Sequence, residues 1–175
     1  MKTSLILLIF LLAVTNTFAT KSPNIILILA DDMGPGEPSH MGGLVPTPAL
    51  DRMAKEGMRF TDAHTTSSVC TPTRYGILTG RYNWRSRLKR GVLVKASSQA
   101  LMDPNRVNLP NFRQQNGYHT GMVGKWHLGA DWELLKNPPA SPDRKDDSWR
   151  VDYSKPFRNG PVDVGFDEAF FILSS

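Results

Sequence analysis

The spacing of hydrophobic residues predicts alternating strands and helices in the first half of the chain. Residues 24–30 form an unbroken apolar run, which is typical of a strand buried on both faces of a sheet. Residues 47–57 place apolar side chains at helical spacing between a Thr-Pro start and a final glycine. Residues 58–65 favour a second strand, and residues 70–80 favour a second helix. This order predicts an α/β fold whose mostly parallel central sheet has helices on both faces.

The second half of the chain continues the alternation. Residues 108–115 predict a short helix with an asparagine cap, and residues 118–123 predict a third strand. Residues 164–173 are again apolar, which indicates a return to the core. Between them, residues 131–160 are rich in Pro, Asp, Lys and Trp without a clear period, so we predict a long surface insertion.

The first 19 residues have the pattern of a secretory signal peptide. Lys2 precedes an apolar segment at residues 5–14, and small residues at the −3 and −1 positions predict cleavage after Ala19. The apolar segment is too short to span a bilayer, so we expect no stable membrane insertion. We expect export to the periplasm, the extracellular space or the lysosomal lumen, with an uncleaved membrane anchor as the alternative.

The composition is that of one globular domain with a modest positive charge. Of the 175 residues, 40% are hydrophobic and 21% are charged, and the formal net charge is +5. This charge suits an anionic substrate and does not by itself indicate nucleic acid. The basic segment 81–95 contains Tyr82 and Trp84 and allows three interpretations: a solvated surface, an RNA-binding surface or a rim that guides anionic substrates.

Cys70 is the only cysteine of the chain, so it has no internal disulfide partner. Pro72 fits the first turn of the predicted helix, and Gly80 is placed to end it. This arrangement puts Cys70 at a helix N-terminus, where the dipole and free N–H groups favour an anion. Arg74 follows about one helical turn later and should lie near the same end. The alternative is a small structural thiol.

Two adjacent carboxylates, Asp31 and Asp32, follow the first predicted strand. The carboxyl ends of strands are where open α/β sheets bind their ligands. Two hard oxygen donors suit Ca²⁺ or Mg²⁺, whereas the alternative is a pair that starts a turn.

Lys125 and His127 follow the third predicted strand. In an extended segment, alternate side chains lie on one side, so both could point into one pocket. The alternatives are a surface lysine and a hydrogen-bonded structural histidine. We interpret His40, His64 and His119 as structural.

Several of these segments resemble the sulfatase family. Residues 70–74 have the Cys-x-Pro-x-Arg core of its signature, and residues 78–81 continue it as Leu-Thr-Gly-Arg. Further matching blocks occur in the family's order at residues 31–32, 117–129 and 165–167. The resemblance covers residues 23–175 and implies the N-terminal part of a catalytic domain with an alkaline-phosphatase-like fold. Sulfatases of this family are much longer, so the fold is expected to be incomplete at its C-terminus.

The resemblance implies a hydrolase of sulfate monoesters that works through a modified Cys70. A formylglycine-generating enzyme oxidises the family's cysteine to an aldehyde. One hydroxyl of the aldehyde hydrate attacks sulfur, and the other then expels sulfate. The alternatives are a phosphomonoester or phosphonate hydrolase of the same superfamily and a non-catalytic fragment that binds sulfated glycans.

The matching positions also imply roles for other residues. Arg74 and Lys125 would stabilise the hydrate or the sulfate, and His127 would assist proton removal. The implied ligands of one Ca²⁺ are Asp31, Asp32 and the modified Cys70. The remaining ligands are expected beyond Ser175, so we expect the chain alone to be a poor catalyst. The expected substrate is a sulfate ester, of which a sulfated carbohydrate suits an exported enzyme, and no nucleic-acid partner is expected.

The signal-peptide interpretation predicts the N-terminus of the exported protein. Because cleavage after Ala19 is expected, N-terminal sequencing should begin at Thr20. Ala19→Arg, which puts a large cation at the −1 position, should block this cleavage, while Lys21→Arg should leave it unchanged. An exported protein that still begins at Met1 would contradict the interpretation.

Overall fold

The structure is a computed structural model, and it describes residues 22–140 and 147–173. The predicted signal peptide at residues 1–19 lies outside the described residues. The chain divides into two compact units between Asp51 and Arg52.

Three α-helices and two strands occur in the described part of the chain. The helices are α1 (Pro48–Glu56), α2 (Cys70–Thr79) and α3 (Leu109–Gln115), and the strands are β1 (Gly121–Lys125) and β2 (Glu168–Ile172). Short 3-10 turns occur at Ser39–Met41, Asn83–Arg85 and Ser148–Arg150. The three helices therefore confirm the sequence-based expectation, and their ends agree with it within two residues.

The two strands pair in parallel, with Gly121 opposite Glu168 and Lys125 opposite Ile172. The pairing continues past the strand ends, because the Trp126 N–H donates to the Ile172 carbonyl at 2.9 Å. The His127 N–H likewise donates to the Leu173 carbonyl at 2.8 Å. The main chain after β1 is therefore fixed by the strand beside it, and the parallel pairing agrees with the predicted sheet.

One hydrogen-bonded contact joins the starts of β1 and β2. The Asp167 carboxylate accepts from the Thr120 N–H at 2.6 Å and from the Thr120 hydroxyl at 2.9 Å. The Gln114 side chain, on α3, donates to the same carboxylate at 2.7 Å. The Thr120 amide N–H, then the Thr120 hydroxyl and Gln114, hold the pKa of Asp167 below its ordinary value of 3.8. The ionised carboxylate thus ties α3, β1 and β2 together.

Helix α2 begins at Cys70 and ends at a left-handed Gly80 with φ +65°, as the sequence predicts. Within the helix, Gly76 lies against Thr66. A Cβ on residue 76 would come 2.2 Å from the Thr66 hydroxyl oxygen, so this close approach requires glycine.

Helix α3 begins at the predicted asparagine cap. The Asn108 side chain accepts from the Asn111 N–H at 3.0 Å and donates to the Val164 carbonyl at 2.8 Å. The cap therefore also connects α3 to the segment that leads into β2.

The hydrophobic core is formed by residues of α2, the loop at 93–102, the segment after β1 and the segment before β2. Its buried members are Tyr75, Leu93, Leu101, Met102, Trp126, Leu128 and Val164. Phe166, Phe171 and Leu173 pack partly buried against this cluster. The predicted return of residues 164–173 to the core is therefore confirmed.

Two predicted strands are wrong, and a third is displaced. Residues 24–30 and 58–65 have no strand pairing, and Ile26 is 84% exposed. The third strand is Gly121–Lys125 instead of residues 118–123. A strand forms only where its backbone N–H and C=O groups find neighbours, and in the described residues only β1 and β2 provide them to each other. An apolar run does not specify those neighbours.

Residues 131–140 and 147–160 form an irregular antiparallel arrangement. Isolated bridges pair Asp131 with Arg158 and Leu134 with Val151. Asp147 is buried and accepts hydrogen bonds from the Ser97 N–H and hydroxyl. The surface-insertion interpretation stays a prediction. Across the described residues, no helix has the length and apolar content needed to cross a bilayer.

The Thr120–Asp167 contact predicts an acid-sensitive contribution to stability. Because the folded-state pKa is lowered, this contribution is present at neutral pH and is lost as the pH falls below about 4. Asp167→Asn should therefore lower the Tm at pH 7, and the difference from wild type should shrink below pH 4.

The matched control is Glu168→Gln, because Glu168 is exposed and its carboxylate lies 3.2 Å from the exposed ring of His119. Its Tm at pH 7 should stay close to that of wild type. Equal melting of Asp167→Asn and Glu168→Gln at pH 7 would contradict the assigned role of Asp167.

Candidate active site

Cys70 is the first residue of α2 and carries a free, half-buried thiol. Val69 precedes it in an extended conformation and provides no side-chain cap. The residues that follow Cys70 in the motif, Thr71, Pro72 and Thr73, are buried. The Cys-x-Pro-x-Arg segment is thus fixed on one side by the core, while residue 70 stays accessible to chemistry at a helix N-terminus.

Arg74 lies one turn along the same helix and contacts the end of β1. Its Nη1 donates to the Lys125 carbonyl at 2.6 Å, across 51 positions of sequence. Hydrogen bonds from a charged donor are stronger than neutral ones. The structure therefore brings together two of the predicted site residues, through the main chain of Lys125.

His127 is 3% exposed, and its ring is held by a main-chain carbonyl. Its Nε2 lies 2.7 Å from the Leu93 oxygen. A carbonyl only accepts hydrogen bonds, so Nε2 carries the hydrogen, and in the neutral ring Nδ1 is the basic nitrogen.

Leu93 also contacts the helix that carries Cys70. Its N–H donates to the Thr71 hydroxyl oxygen at 3.3 Å, and Thr71 is fully buried. Leu93 therefore connects His127 to Thr71, because its carbonyl accepts from the His127 ring and its N–H donates to the Thr71 hydroxyl. We call this pair of bonds the Leu93 bridge. Sequence reasoning missed both Thr71 and Leu93.

The expectation that Lys125 and His127 alternate along an extended segment is wrong. His127 has φ +53°, in the left-handed region, and Gly124 has φ +114°. Alternation of side chains holds only for extended backbone, so it does not place these two side chains on one side. Lys125 is connected to α2 through its carbonyl, and His127 is connected to it through Leu93.

Asp31 and Asp32 lie in the first unit, and both are exposed. Asp32 has φ +58°, a conformation that aspartate tolerates better than most residues. Within the described ranges, no three His, Cys, Asp or Glu side chains come together as a metal site. Ca²⁺ takes roughly six to eight oxygen ligands, so the Asp pair fits its donor chemistry and would supply only part of a complete set.

The remaining histidines bond to carboxylates. His40 Nδ1 lies 3.2 Å from Asp51, and His64 Nε2 lies 2.5 Å from Asp62. His119 Nε2 lies 3.2 Å from Glu168. His64 and His119 are exposed, so the interpretation of the three histidines as structural stays a prediction.

Two cavities bear on where a ligand can enter. The cavity beside His127 holds only about 10 Å³, which is about the minimum for one water molecule. A larger depression of about 490 Å³ lies in the 133–158 region and is lined by none of the predicted site residues. The larger depression therefore gives no support to the chemistry predicted at Cys70.

The sulfatase family model matches residues 23–160. Since this match covers most of the sequence, the chain belongs to the sulfatase family.

Individual relatives agree with this assignment. An N-acetylgalactosamine-6-O-sulfatase of Bacteroides thetaiotaomicron is 43% identical over 111 residues, which are 63% of this chain and 21% of that protein. Human steryl-sulfatase is 37% identical over 128 residues, which are 70% of this chain and 22% of the relative. The chain thus spans about a fifth of the length of these curated relatives.

A solved structure confirms the fold. It is described in connection with the metabolism of multiple glycosaminoglycans by Bacteroides thetaiotaomicron. It matches with a TM-score of 0.73 at 35% identity, over 89% of this chain and 29% of the other. The α/β fold expected from the sequence is therefore that of a sulfatase.

The Leu93 bridge predicts that Thr71 positions His127. Thr71→Val removes the hydroxyl with little change in shape and leaves the buried Leu93 N–H unpaired, at a cost of about 1–3 kcal/mol. ¹⁵N NMR of the His127 ring should show mainly the Nε2–H tautomer in wild type and a mixture in Thr71→Val. Thr71→Ser, which keeps the hydroxyl, should retain the wild-type tautomer. An unchanged spectrum in Thr71→Val would contradict this role.

Proposed function

We propose that this chain is the cysteine-bearing part of a sulfatase that hydrolyses sulfate monoesters through formylglycine at residue 70. The observation that carries the proposal is the position of Cys70: it begins α2 in a Cys-x-Pro-x-Arg motif, one turn before Arg74. Membership of the sulfatase family supports the same chemistry. The formylglycine-generating enzyme is the partner required for maturation.

The hydrated formylglycine would supply a nucleophilic hydroxyl at residue 70. A bound Ca²⁺ ion would neutralise charge on the sulfate oxygens. Asp31 and Asp32 are the proposed ligands from this chain, together with residue 70. Their carboxylates are hard donors, and further ligands are needed to complete the set.

We assign the cationic residues to charge stabilisation. Arg74 has one guanidinium N–H group on the Lys125 carbonyl, which fixes the direction of its side chain relative to the end of β1. A positioned guanidinium costs little reorganisation when negative charge develops beside it. The Lys125 side chain is the second proposed cation, and its main chain is already fixed by Arg74.

His127 is the proposed base that removes a proton from the nucleophile. The Leu93 carbonyl engages Nε2–H, so the proton would be taken up at Nδ1. The burial of the ring and its fixed tautomer support this assignment, because a general base must be oriented before it is useful.

A sulfated carbohydrate is the proposed substrate class. One relative is named for the 6-O-sulfate of N-acetylgalactosamine, and the matched structure is described in connection with the metabolism of glycosaminoglycans. The signal-peptide pattern fits an exported enzyme that meets such polymers.

The proposal predicts a chemical change at residue 70. The chain produced in a host with the formylglycine-generating enzyme should yield a tryptic peptide of residues 60–74 that has lost sulfur and reacts with a hydrazide. The peptide from a host without that enzyme keeps its thiol and should instead be alkylated by iodoacetamide. In a partly converted sample, the fraction that keeps the thiol should be alkylated in the same way. Complete alkylation in the first host would contradict the proposal.

Activity is measured on the complete sulfatase that contains this segment. It should hydrolyse 4-nitrophenyl sulfate, lose this activity with EDTA and regain it with Ca²⁺, and Cys70→Ala should reduce turnover to background. Faster hydrolysis of 4-nitrophenyl phosphate than of the sulfate would indicate the phosphomonoesterase alternative.

A further inference from the structure

The positive charge of the chain is concentrated in one short segment. Residues 81–95 contain six lysines and arginines and no acidic residue, whereas the net charge of the whole chain is +5. The rest of the chain therefore sums to −1. A single-sign surface of this kind attracts polyanions more strongly than the net charge alone suggests.

The first part of this segment has a fixed conformation. The buried Asn83 side chain donates to the Leu88 carbonyl at 3.0 Å, and the Ser86 N–H donates to the Asn83 carbonyl at 2.8 Å. The Lys89 ammonium group donates to the Trp84 carbonyl at 2.7 Å. These contacts follow directly on the end of α2 at Gly80, so the segment is ordered before any ligand binds.

Two aromatic rings are exposed in the middle of this charge. Tyr82 and Trp84 stack with their centroids 4.0 Å apart and their planes inclined by 13°. Tyr82 is 49% exposed, and Trp84 is 52% exposed. Tyr and Trp are enriched at interfaces, where one part of the ring is apolar and the other polar, so two exposed stacked rings beside cations are a candidate binding surface.

The cations around the rings keep N–H donors for a ligand, although one of the three Lys89 donors is bonded to the Trp84 carbonyl. Arg85, Lys89 and Arg90 are exposed, and no ion pair joins them to an acidic side chain among the described residues. We call Tyr82, Trp84 and these three residues the 82–90 patch.

We propose that the 82–90 patch binds a sulfated polysaccharide chain, outside the residues assigned to hydrolysis. The apolar C–H face of a pyranose ring would stack on the outer face of Trp84 or Tyr82. Sulfate groups on the same chain would accept hydrogen bonds from Arg85, Lys89 and Arg90. This binding needs no turnover, so it goes beyond the function proposed above.

The geometry favours a sugar chain over single-stranded nucleic acid. Nucleic acid is bound by successive aromatic rings on which separate bases stack. Here the two rings stack on each other, and a separation of 4.0 Å leaves no space for a base between them. The patch offers one continuous apolar surface with cations beside it, which matches alternating sugar faces and sulfates.

The experiment measures binding of the full chain to chondroitin 6-sulfate and to the same polysaccharide after chemical desulfation. Every protein variant carries Cys70→Ala, so that binding is measured without catalysis. A failure of the binding proposal is then distinguishable from a failure of the proposed hydrolysis. Biolayer interferometry at two or more salt concentrations gives the Kd and its salt dependence. Circular dichroism checks that each variant is folded.

The sulfated chain should bind at least roughly tenfold more tightly than the desulfated one. Arg85→Ala with Arg90→Ala should weaken binding roughly tenfold and make its salt dependence shallower. Trp84→Ala should weaken binding roughly threefold to tenfold with the salt dependence unchanged, and Trp84→Phe should retain most of the affinity.

The matched control is Lys136→Ala with Lys155→Ala, which removes two exposed cations from the depression in the 133–158 region. This control should bind like the parent protein. Equal loss in the control and in the arginine variant would overturn the proposal. So would equal affinity for the desulfated chain, or tighter binding of polyuridylic acid than of chondroitin 6-sulfate.

Discussion

The position of the candidate site depends on the parallel pairing of β1 and β2. This pairing fixes the main chain through Trp126 and His127, beyond the last residue of β1. Its start is secured by the Thr120–Asp167 contact, whose hydrogen bonds favour the ionised carboxylate. A two-stranded pair is weak by itself, so the hydrogen bonds at both of its ends and the core behind it have a large share in its stability.

The same pairing explains why several side chains of the site form hydrogen bonds to main-chain atoms. Arg74 reaches β1 through the Lys125 carbonyl, and His127 reaches the cysteine helix through the carbonyl and N–H of Leu93. Main-chain atoms of a paired segment have little freedom. Side chains that bond to them therefore adopt defined directions, which is a condition for positioning charge or a proton acceptor at the same place in every molecule.

The sequence predicted local features well and non-local ones poorly. The start of α2, its left-handed glycine and the Asn108 cap follow from residues close together in sequence, and all three are confirmed. The strands at 24–30 and 58–65 are wrong because pairing depends on partners elsewhere in the chain. The Gly165–Asp167 block resembles a family motif, but the contact of Asp167 with Thr120, 47 positions away, does not follow from the sequence of either segment.

The contacts of the site residues also divide into local ones, which the sequence predicts, and non-local ones, which it does not. Cys70 and Arg74 are one helical turn apart, so their proximity follows from a local pattern, whereas the contact of Arg74 with Lys125 spans 51 positions.

Because of the contact between Arg74 and Lys125, Arg74→Ala removes a cation and also leaves the Lys125 carbonyl without its charged donor. A loss of sulfatase activity in that variant therefore combines weaker charge stabilisation with displacement of the segment that carries Lys125 and His127. Arg74→Lys does not separate the two effects, because a lysine keeps the charge and lacks the planar guanidinium geometry. A measurement of the His127 tautomer in the same variants separates them, since only displacement of the segment alters the bond to Leu93.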